Sequence, residues 1–356
     1  MSRGIVKGNM KVLVTGGAGY IGSVVAEELL AAGHEVIVFD DLSRGHRQAV
    51  PTGAELVVGD LSDSLKLDAI FRSQKIDAVM HFAGFIEAGE SMKAPAKFFR
   101  NNTANTLNLL DAMVEAGVLR FVFSSTAALF GNPDRTPIEE EDPIHPTNAY
   151  GESKLLVERM LAWFHQIHGL RHASLRYFNA AGAASADRGE AHEPETHLLP
   201  RILNVALGRA EDVNIFGTDY ATPDGTCVRD YIHVSDLASA HLLALHALGK
   251  SDRLVYNLGN GNGFSVRQVI EVARKVTGHS IPVVESPRRA GDPAILIASS
   301  AKIRRELGWI PRFPELESIV ASAWEWHRRH PNGYADCEPE TAHAIAEVGL
   351  RSAKDE

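Results

Sequence analysis

Short apolar runs alternate with segments of helical spacing through the first half of the chain. Met10–Thr15 (MKVLVT) is apolar and closed by glycines, which predicts a parallel strand buried on both faces. Ile21–Ala32 has helical spacing and stops at Gly33. Glu35–Phe39 predicts a second strand, closed by Asp40 and Asp41. Leu56–Val58 and Ala78–Phe82 predict two more strands, with a helix over Ser64–Arg72 between them. A long helix is expected from Ala96 to Ala116, stopped by Gly117. Strand Arg120–Ser124, helix Tyr150–His168 and strand Ala173–Tyr177 continue the beat. Alternation of this kind predicts an α/β protein with a doubly wound parallel sheet.

Beyond Gly182 the beat weakens, and Pro194, Pro200, Gly208 and Gly217 punctuate shorter elements. The expected division places a first domain over residues 9–185, with segments near 226–260 and 294–300 returning to it. A smaller α/β substrate-binding lobe takes 186–225, 261–293 and 301–334. The polar, alanine-rich stretch 335–356 is expected to be a flexible tail. A length of 356 residues suits this plan better than a single core.

The formal charge of −9 argues against nucleic acid or an anionic membrane as a partner. Two cysteines, Cys227 and Cys337, build no disulfide framework, so a reducing cytoplasm is expected. Met1–Asn9 lacks the apolar core of a signal peptide, and no apolar run is long enough to span a membrane.

The first strand leads into Gly16-x-x-Gly19-x-x-Gly22, followed at once by a helix. Glycines at this spacing let the backbone approach a pyrophosphate, and the helix start supplies unpaired N–H groups. Alone the motif is weak; its place between strand and helix strengthens it, and makes the first domain a Rossmann domain. Asp40 lies 18 residues beyond Gly22. An acid there accepts bonds from ribose hydroxyls and repels a 2′-phosphate, so NAD is favoured over NADP. Arg44 is the counter-argument, because it could reach a phosphate.

Tyr150 and Lys154 stand four apart at the start of a helix and share a face. A phenol of pKa about 10 is a poor base at neutral pH. A neighbouring ammonium and a cationic nicotinamide both favour its phenolate, which could then take a proton from a sugar hydroxyl. Without the glycine loop upstream, a surface tyrosine and lysine at chance spacing would explain the pair as well. Ser124-Ser125-Thr126 ends a buried strand, where hydroxyls point into the ligand crevice. Thr126 could bond the oxygen that Tyr150 deprotonates.

These residues resemble the extended short-chain dehydrogenase/reductase family, and within it the bacterial UDP-glucose 4-epimerases, from about Met10 to Tyr334. The most specific matching runs are HEPETHLLP from His192, FGTDYATPDGTCVRDYIHV from Phe216 and YNLGNG from Tyr256. The resemblance implies reversible interconversion of UDP-galactose and UDP-glucose, by transient C4 oxidation with tightly bound NAD. It implies that Tyr150, Lys154 and Thr126 are catalytic. Gly16, Gly19, Tyr20, Ile21, Gly22, Asp40, Asp60, Leu61, Phe82, Ala83, Gly84, Asn102, Ser124 and Tyr177 would hold NAD together with Tyr150 and Lys154. Thr126, Tyr150, Asn179, His197, Leu198, Asn214, Phe216, Arg229, Arg289 and Asp292 would hold the UDP-sugar. Arg229 and Arg289 make chemical sense unaided, because guanidinium groups pair well with diphosphate oxygens. Relatives pair as homodimers through the helices near 96–116 and 150–168, although burial on the sheet explains those apolar faces equally well.

Several positions depart from the family pattern. Ile86 stands where some members carry lysine, His197 replaces an asparagine, and Phe130 replaces a tyrosine. Leu296, intermediate in size, falls where the sugar pocket is gated, which leaves N-acetylated UDP-sugars open as alternative substrates, beside UDP-xylose and UDP-glucuronate. A 4,6-dehydratase would need an acid and a base after Thr126, where this chain has Ala127-Ala128. A simple dehydrogenase or a non-catalytic NAD-binding protein are the remaining rivals. No metal is expected. His192-Glu193 and His197 are spaced one residue too long for the helical zinc motif, and Pro194 would break the helix.

Overall fold

The computed structural model describes residues 9–289 and 292–334. Thirteen strands and eleven α-helices are found among them. The strands are β1 (Lys11–Thr15), β2 (Glu35–Asp40), β3 (Glu55–Val58), β4 (Ala78–His81), β5 (Arg120–Thr126), β6 (Arg171–Tyr177), β7 (Asn179–Ala181), β8 (Val213–Phe216), β9 (Val228–His233), β10 (Arg253–Leu258), β11 (Gly263–Ser265), β12 (Val283–Ser286) and β13 (Ile295–Leu296). The helices are α1 (Tyr20–Ala31), α2 (Ser64–Ser73), α3 (Ala88–Ser91), α4 (Pro95–Phe98), α5 (Asn105–Glu115), α6 (Ala149–His168), α7 (Leu198–Ala206), α8 (Val234–Ala247), α9 (Val266–Thr277), α10 (Ala301–Leu307) and α11 (Leu316–Arg329).

Seven apolar strands form one parallel sheet in the order β10-β6-β5-β4-β1-β2-β3. Val12, Leu13 and Val14 of β1 are fully buried because helices cover both faces. On one face Val24 and Leu29 of α1 pack with Leu237 and Leu245 of α8. The other face holds Leu67 of α2, Leu109 and Met113 of α5, and Val157 and Leu161 of α6. Each such side chain contributes about 1.5–3 kcal/mol by leaving water. The build direction reverses between β1 and β4, and a crevice opens beyond the carboxyl ends of strands at such a switch point.

The lobe has its own core, in which Leu203 of α7, Ile215 of β8, Ile270 of α9 and Ile319 of α11 meet. A small sheet runs β11-β9-β13, with β7 also on β9, and β12 pairs with β8. Residues 226–260 therefore divide, with β9 in the lobe sheet and α8 and β10 in the first unit. Segment 294–300, expected in the first domain, instead supplies β13, whose Ile295 and Leu296 pair with Val228 and Arg229. Helix α10, expected in the lobe, buries Ile303 with Trp309 in the first core. Apolar pairs this short carry no period that says which sheet takes them. Stretch 335–356 lies outside the described residues.

The single helix expected over Ala96–Ala116 is broken. A π-helical turn, Phe99–Ala104, separates α4 from α5. Its wider winding accompanies an inward Asn102. The Asn102 amide accepts from Phe85 N at 2.8 Å and donates to Phe85 O at 2.9 Å and Ser153 Oγ at 3.1 Å.

Candidate active site

A cavity of about 1310 Å³ opens between the carboxyl edge of the large sheet and the lobe. One ligand usually needs roughly 300–1,000 Å³, so this space suits two.

At the sheet end the glycine loop forms the wall. Gly16 has φ +72°, and a Cβ there would lie 2.4 Å from Ala83 N. A Cβ on Gly22 would lie 2.2 Å from Gly16 O. Only glycine lets this loop fold back so tightly. Gly19 is the N-cap of α1 and makes no side-chain cap, so the start of the helix faces the cavity with its N–H groups. Asp40 is buried and accepts from Ala18 N and Leu42 N, each at 2.9 Å. A carboxylate has about four acceptor positions, so two remain for ribose hydroxyls. Burial pushes its pKa up. Arg44 is engaged elsewhere: it donates to Glu193 O and pairs with Glu87 at 3.5 Å. That removes the main argument for a 2′-phosphate. Asp60, Leu61, Phe82, Ala83 and Gly84 line the same end, as do Tyr20 and Ile21. These groups fit a dinucleotide with a free 2′-hydroxyl.

At the centre, Asn148 caps α6 by accepting from Gly151 N at 2.8 Å, which sets Tyr150 in the first turn. The Tyr150 phenol lines the cavity together with Thr126, at the end of β5. Burial pushes its pKa up, the Thr126 hydroxyl lowers it, and the Glu87 carboxylate adds to the rise. Lys154, one turn on, is 2 % exposed and donates to Ser124 O at 3.1 Å. Burial lowers its pKa to about 8. An ammonium has three donors, so two remain on Lys154, whose Nζ would lie 3.3 Å from a Cβ added at Gly84. Ser124 and Tyr177 share a hydrogen bond on the cavity wall. Asn102 and Lys154 do not line the cavity; Asn102 spends its amide on Phe85 and Ser153, as described above.

Toward the lobe, Asn179, His197, Leu198, Asn214, Phe216, Arg229, Arg289, Asp292 and Leu296 all line the cavity. Arg229 donates to Val228 O at 2.8 Å and pairs with Asp292. Three of its five N–H donors remain. The Arg289 guanidinium lies 4.0 Å over the Phe216 ring. Helix α7 begins at Leu198 without a side-chain cap, so its first turn also presents N–H groups. Ala127 and Ala128 line the wall beside Thr126 and offer no proton-transfer group.

The sequence reading missed Glu190 and Glu195. They converge with His192 and His197 so that one donor atom from each lies within 4.8 Å of the others. The signal is three acids and two histidines within eight residues, on a segment without helical spacing.

Comparison with known proteins agrees with this geometry. The NAD dependent epimerase/dehydratase family matches residues 12–259. A UDP-glucose 4-epimerase of Halalkalibacterium halodurans is 53% identical over 328 residues, covering 92% of this chain and 98% of that protein. A UDP-glucose 4-epimerase crystal structure is 49% identical with TM-score 0.89, covering 92% of this chain and 100% of that one. The Bifidobacterium longum UDP-glucose 4-epimerase, solved with NAD+ and UDP, is 38% identical with TM-score 0.88, covering 91% and 100%. With the glycine cradle, the Asp40 acceptor and the Tyr150–Thr126 pair in one cavity, the chain belongs to the NAD dependent epimerase/dehydratase family.

Proposed function

We propose that the chain interconverts UDP-galactose and UDP-glucose. The observation that carries this reading is the meeting of Tyr150 and Thr126 in the one cavity that also holds the glycine cradle and the Arg229–Arg289 end. Thr126 and Tyr150 hold the C4 hydroxyl of the sugar, and Tyr150 takes its proton and later returns it. NAD, when bound, would supply the reversible oxidation at C4 and, through its cationic ring, would favour the Tyr150 phenolate. Lys154 anchors the cofactor ribose with its two free donors. Arg229, Arg289 and the start of α7 anchor the diphosphate while the sugar turns over. Asn102 acts at one remove, by fixing the Phe85 loop.

Leu296 on the cavity wall supports a second reading, in which N-acetylated UDP-sugars also enter. The exposed Trp163 and Ile167 on α6 and Leu107 on α5 support a homodimer through these helices. No described helix is long and apolar enough to cross a membrane. The free, buried Cys227 thiol suits a reducing cytoplasm.

The test is incubation with UDP-galactose without added dinucleotide, followed by product chromatography. UDP-glucose is the expected product, with no net reduction of free NAD. Steady accumulation of reduced cofactor would instead make the chain a dehydrogenase. Parallel incubations with UDP-N-acetylglucosamine and UDP-xylose measure the role of Leu296.

A further inference from the structure

Glu190, His192, Glu195 and His197 lie on the segment that joins β7 to α7. From Glu190 Oε1 to His197 Nδ1 is 2.9 Å, and to His192 Nδ1 3.2 Å. Glu195 lies 3.2 Å from His197 Nδ1 through Oε1 and 3.7 Å from His192 Nδ1 through Oε2. Zinc bonds of about 2.0–2.2 Å imply ligand-to-ligand distances of about 3.3–3.6 Å in a tetrahedron. The four histidine–carboxylate separations, taken to one Glu190 oxygen and to either Glu195 oxygen, bracket that length, and one donor atom from each residue lies within 4.8 Å of the others.

A pair of imidazolium–carboxylate bridges is the competing explanation. It requires each N–H to point at its oxygen. Both Nδ1 atoms are buried and fail the N–H alignment of a hydrogen bond, although the Glu190 and Glu195 carboxylates, against the effect of burial, draw both histidines toward their charged forms. Nitrogen lone pairs directed at a shared centre account for closeness without N–H alignment. Glu190 is 5 % exposed, and a carboxylate so placed needs a compensating charge. Two neutral imidazoles, two carboxylates and one dication sum to zero.

We propose that these four side chains bind a divalent zinc-like ion. Four protein ligands close a tetrahedron, so the ion is structural and leaves no position for substrate. Its place gives it a task. The Tyr20 hydroxyl donates to Gly182 O at 2.6 Å and its ring meets His192 edge-on, tying the segment to the glycine loop. The indole of Trp326 donates to Glu190 O at 3.0 Å, tying it to the lobe. His197 is the residue before α7, whose start faces the cavity. An ion here would lock the α7 terminus onto the cofactor half of the molecule.

Cobalt is the direct probe, because tetrahedral Co²⁺ absorbs in the visible with an intensity that octahedral or aqueous Co²⁺ lacks. Untagged, chelator-stripped full-length chain, with its bound dinucleotide, is titrated with Co²⁺ and then with Zn²⁺. The expected result is a tetrahedral band that saturates at one equivalent, is bleached by Zn²⁺, and is absent from His192→Ala and Glu195→Gln. The unfolding midpoint should rise on metal addition for the parent chain alone. No band, or a band equally strong in both variants, would overturn the proposal and leave a hydrogen-bonded histidine–carboxylate network. Since the titration uses the parent chain, misfolding of a variant cannot mask that outcome.

Discussion

Lys154 donates to the carbonyl oxygen of Ser124 at 3.1 Å, which ties the first turns of α6 to the end of β5. The bond also fixes the ammonium close to Gly84, which lines the cavity, and leaves two of its donors unspent. Replacing Lys154 by Met removes the charge and keeps most of the stem. Charge-assisted hydrogen bonds contribute about 1.5–3 kcal/mol each, so turnover should fall at least about tenfold, and gel-filtered protein should retain less dinucleotide. Full retention of dinucleotide and of turnover would remove Lys154 from the account.

Gly22→Ala tests the cradle separately from the chemistry. The added methyl would lie 2.2 Å from Gly16 O, a backbone atom that cannot step aside cheaply. Dinucleotide content should drop sharply while the far-ultraviolet circular dichroism stays close to that of the parent. An unchanged cofactor content would show that the loop does not form the pyrophosphate site.

Arg229→Ala should act on the substrate. It removes a guanidinium with three spare donors and leaves Asp292 unpaired at the cavity wall. A loss of about 1.5–3 kcal/mol corresponds to roughly a ten- to hundredfold rise in KM for UDP-galactose, with dinucleotide content unaffected. A change confined to kcat would place Arg229 at the reacting centre rather than on the diphosphate.

Stability should fall in mild acid. Burial lowers the pKa of His81 to about 3 and those of His172, His233 and His241 to about 4. An unfolded histidine titrates near 6.5. Between about pH 6.5 and 4 the unfolded chain therefore binds more protons than the folded one, and stability is lost as pH falls. Asp230, raised to about 6 by burial, works in the opposite sense between its unfolded pKa of about 3.9 and 6. His192 and His197, which the Glu190 and Glu195 carboxylates raise to about 9 and about 10 against the effect of burial, also favour the folded state in acid, but over this range each offsets only part of one lowered histidine, so the four lowered histidines prevail. The urea midpoint at pH 5 should lie below that at pH 7; an equal or higher value would contradict this.

Most of the strands that build the large sheet were legible because each centres on three or four consecutive apolar residues. The Gly16–Gly22 loop, Asp40 and the Tyr150–Lys154 spacing were legible for a related reason: their geometry is local. The break at Asn102 was not, since its cause is the Phe85 backbone, seventeen residues away. Strands of two or three residues, such as β13 and β7, are too short for alternation to show. The role of Lys154 also depended on a distant partner, the Ser124 carbonyl. Arg44 looked free to meet a phosphate until the fold brought Glu87 and the Glu193 carbonyl to it. Glu190 and Glu195 stayed hidden because four donors on an irregular segment converge only in three dimensions.

The most direct measurement is the turnover of Tyr150→Phe with UDP-galactose, read together with its dinucleotide content. Loss of the hydroxyl removes the proton acceptor, and a positioned general base contributes about 10²–10⁴-fold. The account predicts a fall in kcat of that size with dinucleotide fully retained. Parent-like conversion of UDP-galactose to UDP-glucose by this variant would contradict it.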